Sequence, residues 1–160
     1  MSQDKRAQAL ELVQEAHEAQ QEGDFDQAIE LYRKSISIFP TAEAHTFLGW
    51  TLHSEGQLEQ AIEECKKAIQ LDPDFGNPYN DIGAYLVELK RYDEAIPWLQ
   101  RALEAKRYES RHFPHYNLGR AYEAKDMYRR AREHYEAALR IEPHYALARN
   151  ALRVLQRKLN

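Results

Sequence analysis

The chain has 160 residues, of which 43% are hydrophobic and 30% charged, a balance that fits one folded domain and excludes a disordered or fibrous chain. No run of 18 apolar residues occurs, which excludes a membrane-spanning helix, and the first fifteen residues lack the apolar block of a secretory signal. We therefore expect a cytoplasmic protein without a membrane partner.

The first predicted unit is a helical hairpin over about residues 7–40. Apolar residues recur at helical spacing in its first half, and Gly23 then interrupts the pattern. Asp24 is placed to cap a second helix over residues 25–38.

A second hairpin follows over residues 41–74, where Thr41 is placed to cap the leading helix. Its second helix carries Cys65 on the apolar line and stops before Pro73. Because Cys65 is the only cysteine, it can form no internal disulfide, and we expect it to be buried and inert rather than reactive.

The third and fourth hairpins cover about residues 75–108 and 109–143, and the connection between them departs from the pattern. It has two extra residues and lacks the closing proline of the other units. We expect the preceding helix to continue for one more turn and the segment from Ala105 to Pro114 to project as a second candidate site.

A final helix is predicted over residues 144–158. Arg153 stands where the earlier units keep a small residue, and a bulky charge there would block another hairpin. We therefore expect this helix to cap the array and to face solvent.

The units repeat with a period near 34 residues. Small residues recur at one packing position in the leading helices and at another in the second helices, and prolines close three of the four units. The recurring residues are Leu48-Gly49, Ile82-Gly83 and Leu118-Gly119; Leu52, Leu86 and Tyr122; Ala28, Ala61, Ala95 and Ala131; Phe25, Leu58, Tyr92 and Tyr128; and Pro40, Pro73 and Pro143. Two helices that each have one apolar face need neighbours to bury both faces, so this period indicates a solenoid of helix pairs.

On these residues the chain resembles the tetratricopeptide repeat (TPR) family. The resemblance implies an all-α superhelix, or solenoid, of four TPR helix hairpins and a C-terminal capping helix, forming a single domain over residues 1–160. It also implies a protein–protein interaction scaffold, because such arrays hold extended or helical peptide segments of partner proteins in a concave groove.

The sequence offers no chemistry for catalysis. The glycines form no nucleotide-binding pattern, and none of the seven histidines forms the His-Glu-x-x-His pattern of a zinc site. His112 and His115 are three apart but flank Pro114. We therefore expect no catalytic residue, no metal and no cofactor.

One side of each leading helix is not needed for packing. With the small residue set at 0° and successive residues about 100° apart, packing positions fall on one side and a free stripe falls on the other. The free stripe holds the positions six, three and two before the small residue and one and four after it. From the resemblance this stripe lines the groove. The candidate groove residues are Phe47, Trp50, His53, Asn80, Asp81, Phe113, Tyr116, Asn117 and Arg120.

The rings of this stripe are the main reason to expect binding, since each buries much surface at little entropic cost. The alternative is that Phe47 and Trp50 pack into the seam between helices and that Asn80 pairs with a neighbouring helix. Asn80, Asn117 and Arg120 would suit a peptide main chain or a carboxylate.

Three functions remain open: an adaptor that binds a peptide segment, a chaperone or co-chaperone, and a self-assembling module. Some family members clamp the C-terminal carboxylate of heat-shock chaperones with lysines, arginine and asparagines, but only an asparagine matches here, and Asp81 would repel an acidic tail.

The charge distribution bears on self-assembly. Residues 1–80 carry 6 Lys and Arg against 15 Asp and Glu, whereas residues 81–160 carry 16 against 11. Chance on solvated faces would explain this asymmetry, and so would a dipole that steers a partner or supports weak self-association. Acidic residues interleave with the basic ones, so we expect no nucleic-acid partner.

Overall fold

The computed structural model describes residues 2–160, which fold into nine α-helices and no β-strand. The helices are α1 (Ser2–Gln21), α2 (Phe25–Ile38), α3 (Ala42–Ser54), α4 (Leu58–Leu71), α5 (Asn77–Glu88), α6 (Tyr92–Glu104), α7 (His112–Ala124), α8 (Tyr128–Ile141) and α9 (Ala146–Leu159). The all-α fold class is as predicted. The chain divides into two compact units, one ending at Pro78 and the other running from Tyr79 to Asn160, and each is described by itself.

In the first unit α1 packs on α2, α2 on α3 and α3 on α4. The predicted caps are present, because Asp24 accepts a hydrogen bond from the Gln27 amide at 3.1 Å and Thr41 accepts one from the Ala44 amide at 3.1 Å. Cys65 is fully buried, as predicted.

Gly49 explains why the leading helix keeps a small residue at its packing position. A Cβ atom there would lie 3.1 Å from the Ala61 carbonyl oxygen and 3.1 Å from the Cys65 Sγ atom. In the second unit a methyl group on Gly119 would collide with the ring of Tyr135. A side chain would therefore be tight at Gly49 and would displace the Tyr135 ring at Gly119.

The four hairpin turns share one backbone conformation. Gly23 and Gly56 have φ angles of 84° and 79°, and Lys90 and Asp126 have φ angles of 62° and 60°. In each turn the amide of this residue and the next one donate back to carbonyls of the preceding helix, the arrangement of a Schellman cap. Glycine adopts this left-handed region without a steric penalty, whereas lysine has a Cβ atom that makes the region less favourable.

In the second unit α6 packs on α7, α7 on α8, and α9 on α8 and α7. The connection from α6 to α7 differs from the expectation, because α6 ends at Glu104 and does not continue for another turn. Arg111 holds the connection instead. Its guanidinium donates to the carbonyl oxygens of Ala105 at 2.7 Å, of Leu103 at 3.3 Å, and of Tyr108.

The segment is therefore packed rather than projecting, and the Tyr108 side chain is buried. Lys106, Arg107 and Glu109 remain exposed on it, so its use as a second site stays a prediction. Among the described residues, no helix combines the length and the apolarity that a bilayer crossing requires.

Candidate functional site

The free stripe forms one surface in each unit. The first surface consists of stripe residues on α1 and α3, namely His17, Gln20, Phe47, Trp50 and His53. The second surface consists of stripe residues on α5 and α7, namely Asn80, Asp81, Phe113, Tyr116, Asn117 and Arg120.

Part of the first surface is a ring cluster. The Phe47 ring lies 4.3 Å from the His17 ring in an edge-to-face contact and 6.1 Å from the Tyr32 ring. The Tyr32 hydroxyl donates to Gln20 Oε1 at 2.8 Å and lies 3.1 Å from His17 Nδ1. Phe47 is consequently half-buried, so this ring is partly packed between helices and partly on the free stripe.

Burial sets the protonation of this cluster. It lowers the pKa of His17 and raises the pKa of Tyr32, so both side chains are neutral at neutral pH. Gln20 is buried as well, and its Nε2 atom has no hydrogen-bond partner among the described residues.

Trp50 lies on the same face of α3, one turn beyond Phe47, and is 50% exposed. The packing side of α3, by contrast, is fully covered, since Leu48 and Leu52 are each 1% exposed. Trp50 therefore presents a large apolar ring that the helix packing does not use. His53 is half-buried in the last turn of the same helix.

The second surface contains a chain of polar contacts. Asn117 Nδ2 donates to Asn80 Oδ1 at 3.0 Å, and Arg120 Nη1 donates to Asn117 Oδ1 at 3.1 Å. Both asparagines are more than nine-tenths buried. Asn80 thus pairs with a neighbouring helix, the arrangement that the sequence offers as the packed alternative, and Arg120 is the member of this chain that reaches solvent.

Asp81 is held next to this chain. Burial raises the pKa of its carboxyl to about 7, although a hydrogen bond from Asn80 opposes the rise. The carboxyl is therefore partly protonated at neutral pH and repels an acidic ligand less than an ordinary aspartate would.

The rings of the second surface meet at Tyr145, the residue before α9. Its ring contacts those of Phe113 at 5.6 Å, Tyr116 at 5.4 Å and His112 at 5.0 Å, in each case edge to face. Phe113 is 39% exposed, whereas Tyr116 is half-buried and lies beneath the Arg120 guanidinium, 5.7 Å from its ring centre.

The exposed apolar side chains that α9 also presents were not predicted from the sequence. Leu147 and Val154 occupy the stripe positions of this helix, six before and one after Arg153, and they are 54% and 46% exposed. The same count from the small residue that located Trp50 would have found them, had α9 been treated as another leading helix rather than as a solvated cap. Arg153 itself is exposed, and the role of α9 as a cap stays a prediction.

Beside Arg120 lies an open depression of about 380 Å³, lined also by Glu123, Tyr135 and Lys158. Glu123 accepts hydrogen bonds from the Tyr135 hydroxyl at 2.9 Å and from Lys158 Nζ at 3.0 Å. The described residues contain no cluster of three or more His, Cys, Asp or Glu side chains that could hold a metal ion. The chemistry available on both surfaces is ring stacking, hydrogen bonding and charge pairing.

Comparison with known proteins places this arrangement in a family. Two models described as tetratricopeptide repeat match residues 13–74 and 74–143. The type IV pilus assembly protein PilF of Pseudomonas aeruginosa is 33% identical over 122 residues, which are 76% of this chain and 48% of that protein. The small glutamine-rich tetratricopeptide repeat-containing protein 2 of Mycosarcoma maydis is 33% identical over 99 residues, 61% of this chain and 28% of that protein.

A solved structure from the functional characterization of Pseudomonas aeruginosa pilF has the same fold, with a TM-score of 0.87 and 28% identity over 98% of this chain and 70% of that one. The chain spans about half or less of the length of the two curated relatives. The repeat models, the relatives and the helix hairpins confirm the resemblance and the solenoid fold class, and the chain belongs to the tetratricopeptide repeat family.

Proposed function

We propose that this chain is a non-catalytic scaffold that binds a peptide segment of a partner protein on its free stripe. The observation that carries the proposal is Trp50, which leaves half of its side chain in water although every packing position beside it is covered. Phe113 and the α9 residues Leu147 and Val154 support it in the second unit, since they are exposed apolar groups at stripe positions. A cytoplasmic location remains a prediction.

The exposed ring is large enough to matter for affinity. A tryptophan side chain buries up to about 250 Å², so covering the remaining half removes about 120 Å² from water. At about 25 cal/mol per Å² this contributes about 3 kcal/mol, or roughly a hundredfold in Kd before the cost of ordering the partner. A peptide segment must be ordered on binding, so we expect micromolar affinity overall.

The test replaces one ring on each surface, in the variant Trp50→Ala with Tyr116→Ala. A matched control, Leu71→Ala with Ile141→Ala, removes two apolar side chains that are each about half exposed. They lie at the ends of α4 and α8 and off the stripe. Both variants and the unmodified chain serve as bait for affinity capture from the source organism, with bound proteins identified by mass spectrometry. Far-ultraviolet circular dichroism and thermal unfolding establish that each variant is folded.

We expect the stripe variant to lose specific partners that the control variant retains, at equal helicity. Because Tyr116 also packs against Tyr135 and Tyr145, the single variant Trp50→Ala is measured in parallel. Partners that are captured equally well by all folded variants would show that the stripe is not the binding surface.

A further inference from the structure

We infer that the first surface takes a cationic segment, with a lysine or arginine side chain of the partner lying on the exposed ring of Trp50. This inference rests on the proposed function and specifies the chemistry of the partner. It differs from carboxylate clamping, which requires cations on the protein and an anion on the ligand.

The first argument is that no lysine or arginine occupies a stripe position on the leading helices of the first unit. No Lys or Arg occurs between Arg6 and Arg33, and α3 contains none. Lys5 and Arg6 lie near the start of α1, before its stripe positions, and the remaining basic residues of this unit lie on second helices. On α4 they pair with their own helix, Lys66 with Glu63 at 3.4 Å and Lys67 with Glu64 at 3.1 Å.

Acidic groups are placed around the same surface. Glu43 occupies the stripe position seven residues before Trp50, and Glu55 follows α3 directly. Seven residues are about 10 Å along a helix, which an extended peptide spans with about three residues. A segment with basic residues at that spacing would therefore place one charge near the Glu43 carboxylate and another on the Trp50 ring.

Helix orientation adds to this preference. Trp50 lies near the C-terminus of α3, where the last carbonyl groups carry the negative end of the helix dipole and favour a nearby cation. The neighbouring ring of His17 does not oppose a cation at neutral pH, because burial keeps that imidazole uncharged.

The strongest argument is a comparison within the chain itself. At the stripe position where α3 has Trp50, α7 has Arg120, whose guanidinium stacks on Tyr116. The other tryptophan, Trp98, is covered by Arg101 at 4.8 Å from its ring. Trp50 has no such contact among the described residues. Because half of Trp50 is exposed, a cation of the partner could make with it the contact that other rings of this protein make with arginine.

The experiment uses a phage-displayed library of random linear dodecapeptides, selected on the full chain with Trp50→Ala as the counter-selecting protein. We expect enriched peptides to carry Lys or Arg beside an apolar residue. A selected peptide is then synthesised with its basic residue intact, replaced by glutamine, or replaced by glutamate. Each is titrated by the fluorescence of Trp50 in a Trp98→Phe background, at low and at high salt.

Replacing the basic residue by glutamine should weaken binding by about 2- to 30-fold, the range of a cation–π contact, and glutamate should weaken it further. High salt should weaken the basic peptide and leave the glutamine peptide nearly unchanged. Isothermal titration calorimetry on Trp50→Phe and Trp50→Leu separates ring chemistry from apolar area, because only phenylalanine keeps a π face. We expect Trp50→Phe to bind the basic peptide more tightly than Trp50→Leu.

The outcomes distinguish this inference from the proposed function. If no peptide is enriched on the unmodified chain over Trp50→Ala, both fail. If peptides are enriched and lost with Trp50→Ala, but they are neutral or acidic, the binding function stands and the cationic specificity is overturned. Equal affinity of the basic and glutamine peptides would overturn it as well.

Discussion

Replacing Lys90 by glycine should stabilise the protein, although it removes a side chain and adds no contact. Lys90 has a φ of 62° in the turn between α5 and α6, whereas the turns of the first unit have glycine at this place. Holding a residue with a Cβ atom in the left-handed region costs about 1–2 kcal/mol. Glycine loses about 0.5–1 kcal/mol more conformational entropy on folding, so the expected net gain is about 0.5–1 kcal/mol.

The turn itself should be unchanged by this substitution. Its hydrogen bonds, from the Lys90 amide to the Val87 carbonyl at 3.0 Å and from the Arg91 amide to the Leu86 carbonyl at 2.8 Å, involve only the backbone, and the Lys90 side chain is exposed. For a chain of this size the gain raises Tm by about 1–4 °C, which differential scanning calorimetry or a urea titration resolves.

Gly56→Ala is the matched control, because an added Cβ atom there meets no atom within 4 Å and the cost is purely conformational. It should destabilise by about 1 kcal/mol. If Gly56→Ala destabilises while Lys90→Gly leaves the urea midpoint unchanged or lowers it, the left-handed lysine is not strained and the reasoning is refuted.

Three further predictions concern the second unit. Gly119→Ala should cost about 1–3 kcal/mol in urea unfolding, because the new methyl group collides with the Tyr135 ring; an unchanged midpoint would mean that the hairpin yields. Stability should fall as pH is lowered from about 6.5 towards 4, since burial lowers the pKa of His115 to about 4 and also lowers that of His134, so the unfolded chain takes up protons first. His134→Gln should flatten this dependence, and identical pH profiles would exclude the pair as its source. Arg111→Leu should speed amide exchange in the connection between α6 and α7, whereas equal protection in both proteins would show that the guanidinium is not the anchor.

The helices could be predicted from the sequence because their causes are local. Apolar spacing, the caps at Asp24 and Thr41 and the breaks between hairpins each act within a few residues, and the spacing and the breaks recur in all four hairpins. The period added what one hairpin could not show, namely that the apolar faces are buried against neighbours.

The end of α6 was predicted wrongly for the opposite reason. Its boundary depends on Arg111, seven residues later, whose fork of donors takes up the last carbonyl groups. The absence of a closing proline predicts a longer helix, but a side chain beyond the helix satisfies the carbonyl groups at its end instead.

Contacts between paired helices were not predicted, although the sequence contains a signal for them. His45 contacts Glu64 at 2.7 Å, and His115 contacts His134 at 3.1 Å, both across one hairpin and both nineteen residues apart. The His-Glu-x-x-His pattern relates neighbours on one helix, as does the pair His112 and His115, and contains no information about partners on facing helices. With the repeat fixed, a spacing of nineteen would have paired these residues.

The candidate site was harder to predict, because a position on the stripe does not determine how exposed its side chain is. Phe47 and Trp50 lie one turn apart on the same face of α3, yet Phe47 is held among the rings of His17 and Tyr32 while Trp50 is half exposed. The difference depends on which neighbours fill the space beside each ring, and helical periodicity does not contain that information.

The position after the small residue shows where specificity can vary in this chain. The small residue itself is alanine or glycine in all four repeats, and at the three glycines an added Cβ atom would lie 3.1 Å or less from the facing helix. The next position is filled by His17, Trp50, Ala84 and Arg120, four residues that share neither size nor charge. His17 and Arg120 contact other side chains of their own units, since His17 lies against Phe47 and Arg120 donates to Asn117, whereas Trp50 is half exposed. Substitution of Trp50 should therefore change which segment binds and leave the fold intact, which makes Trp50→Ala the decisive variant for the proposed function.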